Sequence, residues 1–454
     1  MKSRLLLTTS WLGLLTLVAI WLALPARAQV PNPPHYTITD LGTLGGTYSY
    51  AYGINDAGVV SGGAATATQT GGVYQTAFLW DKNLHMVDLG TLGGADCPDC
   101  NSEAGGPNDN GESPILSETA ESDPNGEDFC AFGTHRQCLA AIWKNGAMTG
   151  LPTLKGGNNG QAYWTNNQGQ TVGVAENGIE DSTCSTATPF QVLRFESVLW
   201  QANGEIRRLR PLKGDTVAFA FGINDRGQTI GSSGLCSNTA LPPFVNGPQG
   251  AHAVLWEKDG SPRDLGSLVS GGTINIAASI NDRGVVVGGS QSSDGAPHAF
   301  LWTKDKGMQD LGTLEGDFLS VAPCCHTINN RGQIVGLSIP GPLGSGRAFL
   351  WQNGVMTDLN TLIPKGSPWY LLQALSINDA GQIVGYGTIN GDVHAFIATP
   401  CDRDHQDREC GENVEGDSME MHKINEGASV LLPANAGGLL QHPLRFGSQA
   451  VRPQ

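Results

Sequence analysis

From Tyr36 to Thr399 the apolar residues fall in short runs rich in β-branched and aromatic side chains, broken by glycines and by Asn-Asp pairs. Runs of this kind read as strands and the breakers as tight turns. The stretch around Asn281 predicts strands over 275–281, 285–289, 298–303 and 308–314. Asn281-Asp282-Arg283-Gly284 is a hairpin turn, its Asx side chains bonding nearby backbone and its glycine taking a positive φ. Trp351-Gln352-Asn353-Gly354 is a second turn of the same kind.

The pattern repeats. Ile-Asn-Asp-x-Gly or a weaker copy recurs around Asn55, Asn108, Asn166, Asn224, Asn281, Asn329 and Asn378, at spacings of 48 to 58 residues. Ala-Phe-Leu-Trp or a variant ends at Trp80, Trp143, Trp200, Trp256, Trp302 and Trp351, and His394-Ala395-Phe396-Ile397 is a copy without the tryptophan. Asp-Leu-Gly-Thr-Leu starts at Asp40, Asp88, Asp264 and Asp310, with a near copy at Asp358 and degenerate ones at Gly150 to Leu154 and Leu209 to Leu212. Four strands in a unit of roughly fifty residues match a propeller blade, the kelch period being the nearest. The array is offset at its ends. Tyr36 to Leu44 is a fourth-strand phrase with no third strand before it, and His394 to Thr399 is a third strand with no fourth after it. A ring in which the N-terminal strand completes the last unit removes both exposed edges. The expected fold is therefore all-β: a seven-bladed β-propeller of four-stranded antiparallel blades over residues 36–399, closed by the N-terminal strand.

The phrases Asp310-Leu311-Gly312-Thr313-Leu314, Ile280-Asn281-Asp282-Arg283-Gly284 and His298-Ala299-Phe300-Leu301-Trp302 resemble the HAF repeat of bacterial extracellular proteins. The resemblance spans Tyr36 to Thr399 and implies export and a kelch-like propeller. It implies no reaction, because it brings no catalytic residues with it. The second and third units depart most, with degraded phrases and long cysteine-bearing loops.

Charge and cysteine content place the chain. Charged residues make up 15% of it, glycines number 62, and the net charge is -16 with a pI of about 4.9. Such a chain repels phosphate backbones, which excludes nucleic acid as an expected partner. Lys2 and Arg4, an apolar stretch from Leu5 to Leu24 and Pro25-Ala26-Arg27-Ala28-Gln29 read as a signal peptide over 1–28, cut after Ala28, with an uncleaved anchor as the competing reading. No second segment has the roughly twenty apolar residues a bilayer span needs, so no membrane span is expected after cleavage. The expected location is secreted, either periplasmic or extracellular.

The ten cysteines of an exported chain favour disulfides. The candidates are Cys97 and Cys100, Cys130 and Cys138, Cys184 with Cys236 from equivalent loops of neighbouring units, and Cys401 with Cys410 in one loop. Adjacent Cys324 and Cys325 are expected to reach different partners. The tail, 400–454, leaves the repeat, is polar and weakly patterned, and is expected to be largely disordered or a strap.

Candidate chemistry adds little. The residue after each key asparagine is Asp56, Asp109, Asn167, Asp225, Asp282, Asn330 or Asp379. Interchange of Asp and Asn calls for an acceptor, not a charge. The repeated tryptophans suit packing between units. His252, His298 and His394 share a strand-entrance position with Arg347 and Thr76. Cys97-Pro98-Asp99-Cys100 lacks the second pair a zinc site would need. The acidic stretch Asn108 to Asp128 is a place for loop calcium but lacks EF-hand spacing, and it reads as a solvated loop. No nucleophile elbow, P-loop or His-Glu-x-x-His helix is present. No catalytic, cofactor-binding or metal-ligating residue is therefore assigned and no cofactor is expected. The expected function is a monomeric binding module at the cell exterior for a glycan or protein. The alternatives are a propeller-type glycan hydrolase or lyase and a structural envelope protein. Variable loops on a rigid scaffold carry binding, which points to the face bearing connections 64–75, 113–137, 176–194 and 232–250.

Overall fold

The computed structural model describes residues 33–67, 74–184, 191–236, 251–341 and 344–401. The signal segment and, beyond Cys401, the tail lie outside these residues. Among the described residues the regular structure is almost entirely strand, joined by turns and loops. It opens with β1 (Tyr36–Asp40), followed by β2 (Gly45–Ile54), β3 (Val60–Thr66), β4 (Gln75–Asp81) and β5 (His85–Asp88). The next group is β6 (Ser102–Ala104), β7 (Ser113–Ser122), β8 (Arg136–Lys144) and β9 (Ala147–Gly150). Then come β10 (Gly156–Thr165), β11 (Thr171–Glu180), β12 (Leu193–Trp200) and β13 (Ile206–Leu209). They are followed by β14 (Val217–Ile223), β15 (Thr229–Gly234), β16 (His252–Trp256) and β17 (Pro262–Asp264). The last groups are β18 (Asn275–Ile280), β19 (Val286–Gln291), β20 (Pro297–Thr303) and β21 (Gly307–Asp310); β22 (Leu319–Val321), β23 (Ile334–Ile339), β24 (Arg347–Gln352) and β25 (Val355–Asp358); and β26 (Trp369–Ile377), β27 (Ile383–Ile389) and β28 (Asp392–Pro400).

The groups from β6 to β25 make five four-stranded sheets, each paired antiparallel in sequence order. The sheet at the ends of the array is different. β26, β27 and β28 continue into β2 to β5 to give eight strands with β1, which pairs antiparallel with β28 from Tyr36↔Pro400 to Asp40↔Phe396. A single parallel bridge, Tyr48↔Val393, joins β2 to β28. The sequence predicted uniform four-stranded units. The fusion arises where β1 runs on through Gly42 and Gly45 and brings β2 against the strand that β1 has just paired with.

The fourth strand of each unit is shorter than expected. β21 stops at Asp310, whereas the pattern ran it to Leu314. Asp310 Oδ1 accepts from Gly312 N at 2.7 Å and Gly312 sits at φ +72°, so the Asp-Leu-Gly phrase is an Asx turn that leaves the sheet. Asp40 with Gly42, Asp88 with Gly90 and Asp264 with Gly266 do the same.

Several first strands carry a register shift, as at Ala277/Ser279, which pushes a carbonyl toward the second strand. At Gly288 a Cβ would lie 1.9 Å from the oxygen of Ile276, so only glycine fits. Gly62, Gly173, Gly231, Gly336 and Gly385 meet the same kind of carbonyl. Trp80, Trp200, Trp256 and Trp302 are buried, while Trp143 and Trp351 are half-buried. Trp200 and Trp256 donate their indole N–H to Pro152 O and Arg210 O, at the end of the preceding sheet.

Candidate functional site

The Asn-Asp-x-Gly turns converge. Each key asparagine folds its own turn: Asn281 Oδ1 accepts from Arg283 N and Val285 N at 3.1 and 3.0 Å. Its Nδ2 reaches the next unit, donating to Asn329 O at 3.0 Å. The same bond runs from Asn55 to Asn108, Asn166, Asn224 and Asn281, then from Asn329 to Asn378, and from Asn378 back to Asn55. Only an amide supplies both the acceptor and the donor, which is why this position is asparagine every time.

A second circuit lies on the first. Asp56 N donates to Asp109 Oδ1, and the bond passes through Asn167, Asp225, Asp282, Asn330 and Asp379 back to Asp56. The acceptor is all this circuit needs from the side chain, so Asp and Asn interchange. The two asparagines also separate charges. Asn167 Nδ2 donates to Asp109 and Asp225, and Asn330 Nδ2 to Asp282 and Asp379. Asp56 has an aspartate on either side. Burial first, and then the charges of Asp379 and Asp109, raise its pKa.

The circuits surround a depression of ≈ 90 Å³. Trp164 and His326 also line it, their rings stacked at 5.1 Å. Burial lowers the pKa of His326 and so favours its neutral form. Among the described residues no group of three or more His, Cys, Asp or Glu is arranged to hold a metal ion.

Sequence reading missed a set of buried carboxylates in the second and third units. Glu103 Oε1 accepts from the hydroxyls of Tyr50 and Tyr52, both at 2.8 Å, and from Gln75 Nε2 at 3.0 Å. The signal was present: Glu103 stands five residues before its key asparagine, where the other units have Tyr50, Gln161, Phe219, Ile276, Cys324 and Gln373. The stretch Asn108 to Asp128 is not the solvated loop its acidity suggested. Ser113–Ser122 is strand β7, and Glu118, Asp123 and Glu127 are buried on backbone and amide donors. Glu118 Oε2 accepts from Asn101 N and Nδ2, and Asp123 Oδ2 from Asn159 Nδ2.

These acids tie the long connections together. Glu127, between β7 and β8, accepts from Val192 N and Leu193 N, at the start of β12. Glu176 accepts from Asn158 N, Asn159 N and Gln191 Nε2. Burial, and then Glu127, push its pKa up to about 8. Phe129 packs on Phe195 and Phe195 on Phe219, with ring centroids 6.3 and 6.1 Å apart. Disulfides join Cys97 to Cys100, Cys130 to Cys138, and Cys184 to Cys236, the last across two neighbouring sheets. Cys401 is disulfide-bonded, and its expected partner Cys410 lies outside the described residues. Cys324 and Cys325 do not reach different partners: both are free thiols. The parts of connections 64–75, 176–194 and 232–250 that fall at 68–73, 185–190 and 237–250 lie outside the described residues. Ile179, near the end of β11, and Leu235, next to Cys236 in the chain, are exposed, Ile179 by 50%.

The three repeated histidines meet the aspartate of the adjacent Asp-Leu-Gly phrase. His252 pairs with Asp264 at 3.1 Å, His298 with Asp310 at 2.9 Å and His394 with Asp40 at 3.0 Å, and Arg347 meets Asp358 in the same way. The hydrogen bond to Asp310 raises the pKa of His298.

No protein-family model matches the chain, and no curated protein is similar to it in sequence. Among solved structures it is similar to puromycin hydrolase, with a TM-score of 0.51 and 12% identity over 79% of this chain and 52% of that one. It thus spans about half the length of that protein. It is also similar to the β-propeller domain of the Trilobed protease from Pyrococcus furiosus (TM-score 0.45, 10% identity, 77% of this chain and 93% of that one). Virginiamycin B lyase from Staphylococcus aureus gives a TM-score of 0.40 at 9% identity, over 81% of this chain and 100% of that one. At such identities the likeness is one of fold. Among the described residues no helix is long and apolar enough to cross a membrane. The succession of antiparallel sheets, with their turns joined in circuits, is an all-β repeat array with the β-propeller fold.

Proposed function

We propose that the chain is an exported binding module: a closed seven-bladed propeller of the HAF-repeat kind that presents a stiffened loop face to an extracellular glycan or protein. Two observations support the ring. The asparagine circuit returns from Asn378 to Asn55, and β1 pairs with β28. Divided at the lone Tyr48↔Val393 bridge, the eight-stranded sheet makes two four-stranded blades, the last completed by β1. Export is supported by the N-terminal signal pattern and by the disulfides, which persist in oxidising compartments.

The observation that carries the binding reading is the cross-linking of the connections β7–β8, β11–β12 and β15–β16. Loops without a role are usually mobile and loosely held. Here neighbouring loops share a disulfide, Cys184–Cys236, and Glu127 bonds the backbone of the next unit. Two exposed aliphatic side chains stand at the roots of these connections, Ile179 near the end of β11 and Leu235 next to Cys236. The mature chain should be screened against a panel of polysaccharides and envelope proteins, and each hit retested with Ile179→Asp combined with Leu235→Asp. These sites are exposed, so folding should persist. Affinity should fall about tenfold or more, roughly 1.4 kcal/mol. Unchanged affinity for every hit would place binding elsewhere.

A further inference from the structure

Two cysteines stand apart from the bridged ones. Cys324 and Cys325 lie between β22 and the turn at Asn329, adjacent in the chain and both free. Both face one small, largely apolar cavity, together with Tyr52, Glu103, Tyr163 and Phe221. Cys325 has φ +87°, a left-handed conformation uncommon for a residue with a Cβ. Positive φ is also found at Asn145, Asn353 and Asn390, in tight turns where a short amide side chain suits it, and at His85, Ala131 and His135. Backbone held in such a conformation away from a hairpin tip marks a place where local strain is kept.

We propose that Cys324 and Cys325 form a reversible thiol–disulfide pair that opens and closes a vicinal bridge on the wall of this cavity. To close it, the thiolate of one cysteine attacks a sulfur of a small disulfide such as oxidised glutathione, releasing one small thiol and leaving a mixed disulfide. The second cysteine then attacks the cysteine sulfur of that mixed disulfide and expels the other small thiol. The net change is two cysteine thiols and one small disulfide giving the Cys324–Cys325 bond and two small thiols. The cysteines lose two electrons and the small disulfide gains them. Opening is the reverse.

The bridge would be easier to open than the others. Consecutive Cα atoms across a trans peptide are about 3.8 Å apart, whereas disulfides ordinarily span about 4.4–6.8 Å. Cys97–Cys100, Cys130–Cys138 and Cys184–Cys236 have Cα separations of 5.3, 5.9 and 4.8 Å, all inside that range. A vicinal bridge is therefore the strained one, and strained bridges are the labile ones. Burial raises the pKa of the Cys325 thiol, which keeps the thiolate scarce and slows closure.

The test is a redox titration of the purified full chain, so its outcome does not depend on the ligand or location proposed above. The chain is equilibrated in glutathione buffers from fully oxidised to fully reduced, quenched in acid, alkylated, digested and weighed. In the oxidised buffers the peptide holding both cysteines should carry no alkyl group and be lighter than the dithiol peptide by two hydrogens. As the buffer becomes reducing it should gain two alkyl groups together, before the Cys97–Cys100, Cys130–Cys138 or Cys184–Cys236 bridge opens. Phenylarsine oxide, which captures neighbouring dithiols, should bind the partly reduced chain once and the oxidised chain not at all. The proposal is overturned if the peptide is doubly alkylated at every ratio, if it holds only glutathione mixed disulfides, or if it opens together with or after the other bridges.

Discussion

The side-chain amide of Asn378 donates to the backbone carbonyl of Asn55 at 3.0 Å, across 323 residues of chain. It is the only link of the asparagine circuit among the described residues that joins the two ends of the repeat array. It is buried, so its loss takes one of the two hydrogen bonds of the Asn55 carbonyl, which keeps only Gly58 N at 3.0 Å, where water does not replace it.

Asn378→Ala should therefore cost about 1–3 kcal/mol. It also removes the acceptor for Gln382 N in its own turn. Asn378→Asp should cost at least as much, because a carboxylate offers no donor to Asn55 O. Asp379→Asn should cost less than either, since it keeps an oxygen for Asn330 N and loses only the bond from Asn330 Nδ2. Chemical denaturation of the three variants checks the order; an Asn378→Ala protein as stable as the parent would show the circuit to be idle.

Tyr36 tests the β1–β28 pairing. Its ring is fully buried in a cluster that includes Trp369, Leu371 and Phe396, and its hydroxyl has no hydrogen-bond partner. Tyr36→Ala should lose about 3–5 kcal/mol, the usual cost of deleting a buried aromatic ring. Tyr36→Phe should be neutral or stabilising, because it removes a buried polar atom that is not paired. Thermal melts of the two variants should move in clearly different ways. Equal, small shifts would mean that β1 adds little to the sheet.

Glu176 gives the stability a pH dependence. Its pKa in the fold is about 8, above the ordinary value of 4.5, through burial and then the charge of Glu127. Folding therefore takes up a proton between those values. The contribution of this group is complete below about 4.5 and is lost as pH rises through 8. The unfolding midpoint, followed by tryptophan emission, should fall over that interval. Glu176→Gln, which keeps the neutral shape, should flatten the fall. A profile identical in the variant would remove Glu176 as its source.

The position of Trp164 in the wall of the depression depends on a glycine. A Cβ at Gly106 would lie 1.7 Å from the ring of Trp164. Gly106→Ala should displace that ring from His326 and cost about 1–3 kcal/mol as overpacking. Trp164→Ala removes the obstacle, so the double variant should be more stable than the sum of the two single losses predicts. Strict additivity would show that the ring is not where the alanine goes.

Turn and strand chemistry act over a few residues, which is why the chain alone determined the all-β class and most of the four-stranded units, while the start of the expected connection 113–137 is strand β7. Asn-Asp-x-Gly was legible as a hairpin because Asx side chains bond the backbone two and four residues on. The interchange of Asp and Asn after each key asparagine was legible as a need for an acceptor. The identity of the donor was not, because Asp56 N meets Asp109 across 53 residues and no local pattern records that contact. Distance also hid the buried acids. Glu127 and Glu176 look like ordinary polar loop residues until folding brings Val192 N, Asn159 and Gln191 around them. A carboxylate is buried only where donors from other segments replace its water, and which segments arrive is decided by the tertiary structure. Cys324 and Cys325 follow the same logic. Their adjacency is in the sequence, but their shared cavity with Tyr52, Glu103 and Tyr163 exists only once β2, β6 and β10 are assembled.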